Sequence, residues 1–247
     1  MQHIVIVGAT STIAEHCARL WVQAAPVRLT LVGRDAVRTQ RVADDLRVRS
    51  PRSDVKVMTT DFVDAADIAQ LVSAIVSQSS VDVVLIAHGL LADQVTCQDD
   101  VLVCDAALQV NGVSPVLFAE AFAKSMVTAN HGTIAIIGSV AGDRGRKTNY
   151  VYGAAKGLVS RYAQGMQHRL AHTGVKVVLV KPGPTDTPMT SDLKAKGQKM
   201  APVEQVAQDI LKGIAAGRPV VYTPGIWQAI MLVIMHLPRF IFNKLNI

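Results

Sequence analysis

The chain has 247 residues and a mass of 26.4 kDa, a size at which single α/β domains are common. Half of its residues are apolar and 18% are charged, which excludes a disordered or fibrous protein. The net charge of +6 favours anionic partners, but the 4% aromatic content and the lack of a basic helix argue against nucleic acid. We therefore expect one globular domain.

The N-terminus and the cysteines indicate where the chain folds. The first residues, Met1-Gln-His-Ile, carry no positively charged region and do not resemble a signal peptide, which predicts a cytoplasmic protein. The three cysteines, Cys17, Cys97 and Cys104, are odd in number and form no C-x-x-C pair. We expect three reduced thiols, no disulfide framework and no metal site.

Short apolar segments alternate with segments of helical period along the whole chain. Strands are predicted at His3–Val7, Arg28–Val32, Val55–Met58, Val81–Ala87, Thr133–Ile137, Val175–Val180 and Pro219–Tyr222, and helices at Thr12–Ala24, Ala36–Val48, Ala65–Ser77, Asp100–Thr128, Tyr150–His172 and Val203–Ala216. Uniformly apolar strands are typical of a parallel sheet covered on both faces. The alternation predicts a single-domain α/β fold with a doubly wound, Rossmann-like sheet. In such folds the ligand site lies beyond the carboxyl ends of the strands.

The loop after the first strand reads Gly8-Ala-Thr-Ser-Thr-Ile-Ala14. A glycine turn that opens a helix presents unpaired backbone amides to a phosphate, so Gly8, Ser11, Thr12 and Ile13 are candidate cofactor residues. Thr12 and Ala14 stand where the dinucleotide-binding fingerprint has its second and third glycines. A plain turn between strand and helix is the alternative.

The second strand ends in Gly33-Arg34-Asp35, about where a nucleotide-binding fold contacts the adenosine ribose. A guanidinium matches the geometry of a 2′-phosphate, so Arg34 favours NADPH over NADH. Alternatively, Arg34 only solvates a helix start whose N-cap is Asp35. After the third strand, Asp61 and Phe62 are placed to flank the adenine ring, although Asp61 could instead cap a turn.

The most informative pattern is Ser139 followed thirteen residues later by Tyr152-Gly-Ala-Ala-Lys156. Residues four apart share a helix face, so the Lys156 ammonium can favour ionisation of the Tyr152 phenol. A phenol with its ordinary pKa near 10 needs such a neighbour to act as an acid or base at neutral pH. Ser139, at a strand end, can hydrogen-bond the substrate oxygen.

These motifs resemble the short-chain dehydrogenase/reductase family over residues 8–222. The resemblance implies an oxidoreductase with a nicotinamide cofactor, and Arg34 favours NADP(H) over NAD(H). It implies that Ser139, Tyr152 and Lys156 are catalytic, and that Asn111 is a fourth member holding a water that links Lys156 to solvent. It also implies a homo-oligomer.

Two further segments bear on the cofactor. Pro182-Gly183-Pro-Thr-Asp-Thr187 resembles the family's Pro-Gly-x-x-x-Thr motif, which implies that Pro182, Gly183 and Thr187 lie near the nicotinamide, with Thr187 at its carboxamide. By the same resemblance, Lys156 and Tyr152 also contact the nicotinamide ribose.

The loop after the fourth strand departs from the family's Asn-Asn-Ala-Gly and reads Ile86-Ala87-His88-Gly89. Ala87 and Gly89 remain candidate cofactor contacts, but the local geometry is expected to differ. For His88 a structural or substrate-contact role is favoured over a second acid–base role.

Residues 87–93, 139–156 and 230–247 resemble the subgroup that reduces decaprenyl-phosphoryl-2-keto-ribose. This implies reduction of a polyprenyl-phosphate-linked 2-keto pentose, the second half of an epimerisation begun by a flavin oxidase partner. Arg144, Arg146 and Lys147 either grip the phosphodiester or form a solvated basic loop. The alternatives are a reductase of another hydrophobic ketone or 3-oxoacyl substrate, or a non-catalytic nucleotide-binding subunit.

Residues 226–247 form a separate apolar tail after the catalytic domain of residues 1–225. Pro238 and Arg239 interrupt the apolar run of the tail before the roughly 20 residues that span a bilayer, which disfavours a transmembrane helix. Its polar residues are expected near one helical stripe: Gln228, His236, Arg239, Asn243 and Asn246. One interpretation is a helix in the interface of the inner face of the cytoplasmic membrane, anchored by Trp227, Phe240, Phe242 and Lys244. The other is packing against a neighbouring subunit, which Met231 and Met235 also suit.

Overall fold

Seven parallel strands in the order β3-β2-β1-β4-β5-β6-β7 form one sheet in the structure, a computed structural model that describes residues 1–245. The strands are β1 (His3–Val7), β2 (Arg28–Gly33), β3 (Asp54–Thr59), β4 (Val83–Ile86), β5 (Gly132–Ile137), β6 (Val175–Pro182) and β7 (Val220–Thr223). The strand order reverses between β1 and β4, which is where doubly wound folds bind ligands. The predicted fold class is confirmed.

Helices cover both faces of the sheet. They are α1 (Thr12–Ala24), α2 (Ala36–Arg49), α3 (Ala65–Gln78), α4 (Gln94–Asp99), α5 (Val101–Leu108), α6 (Ser114–Ala129), α7 (Tyr150–Arg169), α8 (Ser191–Ala195), α9 (Val203–Ala215), α10 (Ile226–His236) and α11 (Arg239–Phe242). On one face Ile4 and Ile6 of β1 belong to the core beneath α1 and α9. On the other face Val5 and Val7 belong to the core beneath α3, α6 and α7.

The predicted helix Asp100–Thr128 is interrupted in the structure. α5 and α6 are joined by a π-helical turn at Gln109–Val113, and the short helix α4 precedes them. An extra residue in a helical turn re-aims the side chains around it and is frequent at functional sites. This turn contains Asn111, one of the candidate catalytic residues.

One helical stretch, Val101–Ala129, is long and apolar enough to cross a membrane by length and composition. Its residues Phe118 and Phe122 are completely buried against the sheet. Both residues belong to the protein core, so the stretch is explained as a core helix.

Candidate functional site

The turn after β1 is shaped by Gly8, which has a positive φ of 83°. A Cβ at this position would lie 2.6 Å from the backbone nitrogen of His88, so the turn and the β4 loop touch directly. Gly8 N–H and Ala9 N–H both donate to the Val32 carbonyl, at 2.9 and 3.1 Å. These contacts fix the turn at the carboxyl end of the sheet, where only glycine fits.

The N-terminus of α1 follows this turn. Ser11 is the N-cap residue, but its side chain makes no capping hydrogen bond. Ser11, Thr12 and Ile13 are all half-buried. The first amides of α1 and the Ser11 hydroxyl are therefore arranged as an anion-binding helix start requires.

The end of β2 presents Arg34 at the surface, within 5.9 Å of the centre of the Phe62 ring. A side chain at Gly33 would collide with the Thr39 hydroxyl, because a Cβ there would lie 2.0 Å from Thr39 Oγ1. No acid can therefore stand at this strand end without moving Thr39. Asp35 accepts the Arg38 N–H at 3.0 Å and caps α2, as predicted for that residue.

Phe62 does not offer its ring to a nucleotide as expected. It is 2% exposed and packs edge-on against His88 and Phe118, with ring centroids 4.7 and 5.4 Å away. Asp61 is exposed and accepts the Val63 N–H at 2.8 Å, which makes it a turn cap. The Phe62 ring is thus part of the hydrophobic core, and of these two residues only Asp61 lies at the surface.

His88 is buried, and its Nε2 lies 2.8 Å from the Ser114 hydroxyl. Burial lowers the pKa of His88 to about 3, with Lys156 and Arg34 adding to the effect. The imidazole is therefore neutral at physiological pH. These contacts support the structural role and not the acid–base role.

Asn111 is completely buried in the π turn. Its Oδ1 accepts the Leu90 N–H at 2.9 Å, and its Nδ2 donates to the Ala107 carbonyl at 2.9 Å. A Cβ at Gly89 would lie 2.8 Å from Asn111 Oδ1 and 3.7 Å from Lys156 Nζ. The loop after β4, the π turn and α7 therefore meet at one point, while Ala87 is buried beside them.

Ser139, Tyr152 and Lys156 come together next to this point. The Ser139 hydroxyl accepts the Ala141 N–H at 3.1 Å and lies close enough to the Tyr152 phenol to lower its pKa. Lys156 Nζ lies 5.8 Å from the centre of the Tyr152 ring and donates to the Ile137 carbonyl at 3.0 Å. Tyr152 is half-buried, whereas Ser139 and Lys156 are buried.

The pKa of Tyr152 is shifted in the opposite direction to the one predicted. Burial raises it, and the Ser139 hydroxyl offsets this only in part. Burial also lowers the pKa of Lys156 to about 8. The sequence argument considered only the attraction between ammonium and phenolate, but both groups lose hydration here, and desolvation favours the neutral forms.

A buried ion pair holds the loop that follows Ser139. Lys181 Nζ donates to Asp143 Oδ1 at 2.5 Å, and Tyr222 Oη donates to Asp143 Oδ2 at 2.9 Å. The two charged side chains are 6% and 4% exposed. The cluster ties the loop after Ser139 to the ends of β6 and β7, and no sequence motif indicated it.

The segment after β6 contacts the C-terminal helix. Pro182 and Gly183 are buried, and a Cβ at Gly183 would lie 2.0 Å from Trp227 Nε1. The glycine thus allows the indole of α10 to lie directly on the backbone. Thr187 is half-buried, and its Oγ1 lies 3.3 Å from Thr190 Oγ1.

The basic loop after Ser139 contacts the tail and is not fully solvated. Arg144 donates to the carbonyls of Leu237, at 2.8 Å, and of Ile234 at the end of α10. Arg146 approaches Met231 Sδ at 3.5 Å, and burial lowers its pKa. Of the three cations of this loop, only Lys147 is exposed. A cation near helix carbonyls stabilises the helix end, so Arg144 stabilises the C-terminal end of α10.

Comparison with known proteins agrees with this geometry. The model of the short chain dehydrogenase family matches residues 2–198. The chain belongs to this family. An uncharacterized oxidoreductase of Mycobacterium tuberculosis is 30% identical over 246 residues, which cover 98% of this chain and 96% of that protein. An uncharacterized oxidoreductase of Staphylococcus aureus is 29% identical and covers 84% of this chain and 88% of its own length. This short-chain dehydrogenase is therefore an oxidoreductase.

Solved structures share its fold. A short-chain dehydrogenase from Sphingobium yanoikuyae in complex with NADPH superposes with a TM-score of 0.83 at 23% identity, covering 97% of both chains. The bulky-bulky ketone specific alcohol dehydrogenase from Comamonas testosteroni has a TM-score of 0.80 at 23% identity, covering 97% of this chain and 96% of its own. Actinorhodin polyketide ketoreductase with NADPH has a TM-score of 0.80 at 20% identity, covering 90% and 95%.

Proposed function

We propose that this short-chain dehydrogenase is an NADPH-dependent ketoreductase. The observation that carries the proposal is the meeting of Ser139, Tyr152, Lys156 and Asn111 around the Gly89 loop. These residues come from three separate elements, the π turn, the loop after β5 and α7, and meet at the carboxyl end of the sheet, beside the Gly8 turn. Proton donor, oxygen-binding hydroxyl and cation thus stand together where a doubly wound fold binds its ligand.

The residues at the carboxyl ends of β1 and β2 suit a dinucleotide with a 2′-phosphate. The Gly8 turn and the open N-terminus of α1 suit a pyrophosphate. Arg34 is exposed at the end of β2, and Thr39 leaves no room for an acid at Gly33, which favours a 2′-phosphate over a free 2′-hydroxyl. The NADPH named for two structural neighbours adds to this support.

NADPH, when bound, supplies the hydride for the carbonyl carbon. Tyr152 Oη donates its proton to the substrate oxygen, and Ser139 Oγ orients that oxygen by hydrogen bonding. Burial raises the pKa of Tyr152, so the phenol is a weak acid that needs the Lys156 ammonium to stabilise the phenolate as the proton leaves. Lys156, within 5.8 Å of the phenol ring, stabilises the phenolate that remains, and Asn111 lies on the path by which Lys156 regains a proton.

The proposed substrate is a polar, lipid-linked ketone such as a polyprenyl-phosphate-linked 2-keto pentose. Within residues 1–245, five buried side-chain polar atoms lack a hydrogen-bond partner, and three lie in or against the loop before Tyr152: Gln94 Nε2, Arg146 Nε and Asn149 Oδ1. Gln94 is held beside the catalytic helix because its Oε1 accepts the Val151 N–H at 3.0 Å. Unsatisfied buried donors and acceptors suit a hydroxylated ligand better than a plain hydrocarbon ketone.

The proposed assembly follows the family and subgroup resemblance. It is a homo-oligomer that receives its keto substrate from a flavin oxidase. Co-elution of the two enzymes, or transfer of the ketone without release to solution, tests this partnership.

The catalytic role is tested with Tyr152→Phe. We expect loss of ketone reduction, by at least about a hundredfold, with NADPH binding retained. Tyr162→Phe is the matched control, because its hydroxyl is bonded to Glu120 Oε2 on another face of α7. Retained turnover in Tyr152→Phe would exclude the mechanism, and absence of turnover in the wild type with every ketone tested would favour a non-catalytic nucleotide-binding subunit.

The cofactor preference is tested by the fluorescence of bound NADPH and NADH in wild type and Arg34→Ala. We expect the preference for NADPH to fall about tenfold or more in the variant, since a charged hydrogen bond contributes roughly 1.5–3 kcal/mol. Arg41→Ala, also exposed on α2, is the control for net charge. An unchanged preference in Arg34→Ala would contradict the proposed 2′-phosphate contact.

A substrate panel separates the candidate ketones. We expect the lipid-linked keto sugar to be reduced with a higher kcat/KM than simple hydrophobic ketones or 3-oxoacyl thioesters. The reverse order would support the reductase of a hydrophobic ketone.

A further inference from the structure

The tail helix α10 is apolar toward the protein and toward solvent. Its inward face, formed by Trp227, Ile230, Met231 and Ile234, packs on the domain, and Met231 is completely buried. Its outward side exposes four large apolar side chains, Ile226, Leu232, Val233 and Met235, next to the polar Gln228 and His236, and Val233 is 62% exposed. A helix of a soluble monomer is usually polar on its outer side, so this face is suited to a second apolar phase.

The segment after α10 extends the same surface. Phe240 is 70% exposed, and Ile241 and Leu245 are also exposed. Of the four anchors expected from the sequence, Trp227 lies on Gly183 and Phe242 lies under Arg144, 3.8 Å from its guanidinium carbon. The expected polar stripe is also interrupted, because the helix breaks at Leu237 and Pro238, and Asn246 lies outside the described residues. The exposed apolar surface of residues 226–245 is called the tail face below.

The charge of the tail face has one sign. The chain contains no Asp or Glu after Asp209, whereas Arg239 and Lys244 are exposed within the tail. Within residues 1–245, neither of these cations forms an ion pair. Apolar side chains flanked by unpaired cations match the interface of an anionic bilayer.

We propose that the tail face docks the protein on the surface of an anionic membrane. At 11 residues and about 1.5 Å per residue, α10 reaches only about half of the hydrocarbon thickness, so it lies in the interface and does not span it. A symmetric contact between two tail faces is disfavoured, since it would bring Arg239 and Lys244 of both copies together with no tail acid to pair them.

Docking would bring the candidate active site close to the lipid. Arg144 and Arg146, from the loop between Ser139 and Tyr152, contact α10 directly. This loop therefore connects the candidate active site directly to the tail. This delivery step rests on the proposed function, because it supplies a ketone whose lipid stays in the bilayer; the docking itself does not depend on the reaction.

The docking is tested by sedimentation of the full chain with vesicles of phosphatidylcholine, with and without phosphatidylglycerol. We expect binding to the anionic vesicles that weakens with salt. The double variant Val233→Glu/Phe240→Glu should lower the partition coefficient by at least about tenfold, because each substitution places a charge where an apolar group was buried in lipid. Val48→Glu, at an 82% exposed position on α2, is the matched control.

Reduction of a soluble ketone is measured on the same variants. The double variant should retain this activity, so loss of vesicle binding with intact turnover supports docking separately from the reaction. Absence of vesicle binding by the wild type would overturn the proposal. So would concentration-dependent dimerisation that the double variant abolishes while vesicle binding persists, because the tail face would then join two copies.

Discussion

β1 and α10 are both strongly apolar, yet the structure treats them differently. All five residues of β1 are buried, with Ile4 and Ile6 in one core and Val5 and Val7 in the other. In α10 only Met231 is buried among eleven residues. The sheet therefore accounts for every apolar side chain of β1, whereas folding of this chain accounts for only the inward half of α10. The apolar outer half points to an interaction beyond the fold.

Gly8, beside the central strands, and Gly183, beside the tail, differ in the same way, in how firmly the rest of the domain holds their surroundings. Gly8 is fixed by the sheet and by the backbone of His88, which cannot move independently. Gly183 is fixed by Trp227, a single side chain of α10. Substitutions near the central strands should therefore affect the whole domain, and substitutions near the tail should affect the tail alone.

The largest effect is expected for Gly8→Ala. The positive φ and a Cβ 2.6 Å from His88 N should lower the free energy of unfolding by about 2–4 kcal/mol and abolish NADPH binding. Gly145→Ala is the control, because a Cβ there meets no atom within 4 Å, and its effect should stay within about 0.5 kcal/mol. Equal urea midpoints for the two variants would contradict this comparison.

Lys156 should make stability depend on pH in a defined window. Its pKa is about 8 in the folded chain against an ordinary 10.5, so the unfolded chain holds the proton to higher pH. The free energy of unfolding should therefore rise between pH 8 and 10, by about 2 kcal/mol from this group. Above pH 10 the raised pKa values of Tyr152, Tyr162 and Tyr222 act in the opposite direction, since these phenols ionise first in the unfolded chain.

The matched comparison is Lys156→Met, measured by urea unfolding across the same pH range. The variant should lack the rise that the wild type shows. A parallel pH dependence in both proteins would mean that the ammonium is hydrated in the folded state.

The sequence could predict those parts of the site that depend on local pattern. The seven strands, the helix start at Asp35 and the meeting of Ser139 with Tyr152 follow from periodicity and spacing, and the fold class is confirmed. The π turn at Asn111 and the buried pair of Asp143 and Lys181 were not predictable, because each depends on packing between elements distant in sequence. The predicted direction of the Tyr152 pKa shift was wrong for the same reason, since burial depends on the whole fold.

A smaller effect is expected where Gly183 meets Trp227. Gly183→Ala should displace the indole and lower the free energy of unfolding by about 1–3 kcal/mol. In a Trp227→Ala background the same substitution should cost less than about 0.5 kcal/mol, so the double-mutant cycle should show strong coupling. Additive effects would show that another contact, and not the indole, requires the glycine.

The smallest effect on the free energy of unfolding is expected for Arg144→Lys. This substitution keeps the charge but removes the planar guanidinium that reaches the carbonyls of Ile234 and Leu237. Because α10 and α11 lie at the edge of the fold, their opening need not unfold the sheet, and the urea midpoint should hardly change. Amide hydrogen exchange at residues 230–237 should nevertheless quicken about tenfold, the equivalent of roughly 1.4 kcal/mol in local opening. Lys147→Ala, on the same loop but exposed, should leave this exchange unchanged. Unaltered exchange in Arg144→Lys would mean that the inward apolar face alone holds the tail, and that the arginine does not position it beside the cleft.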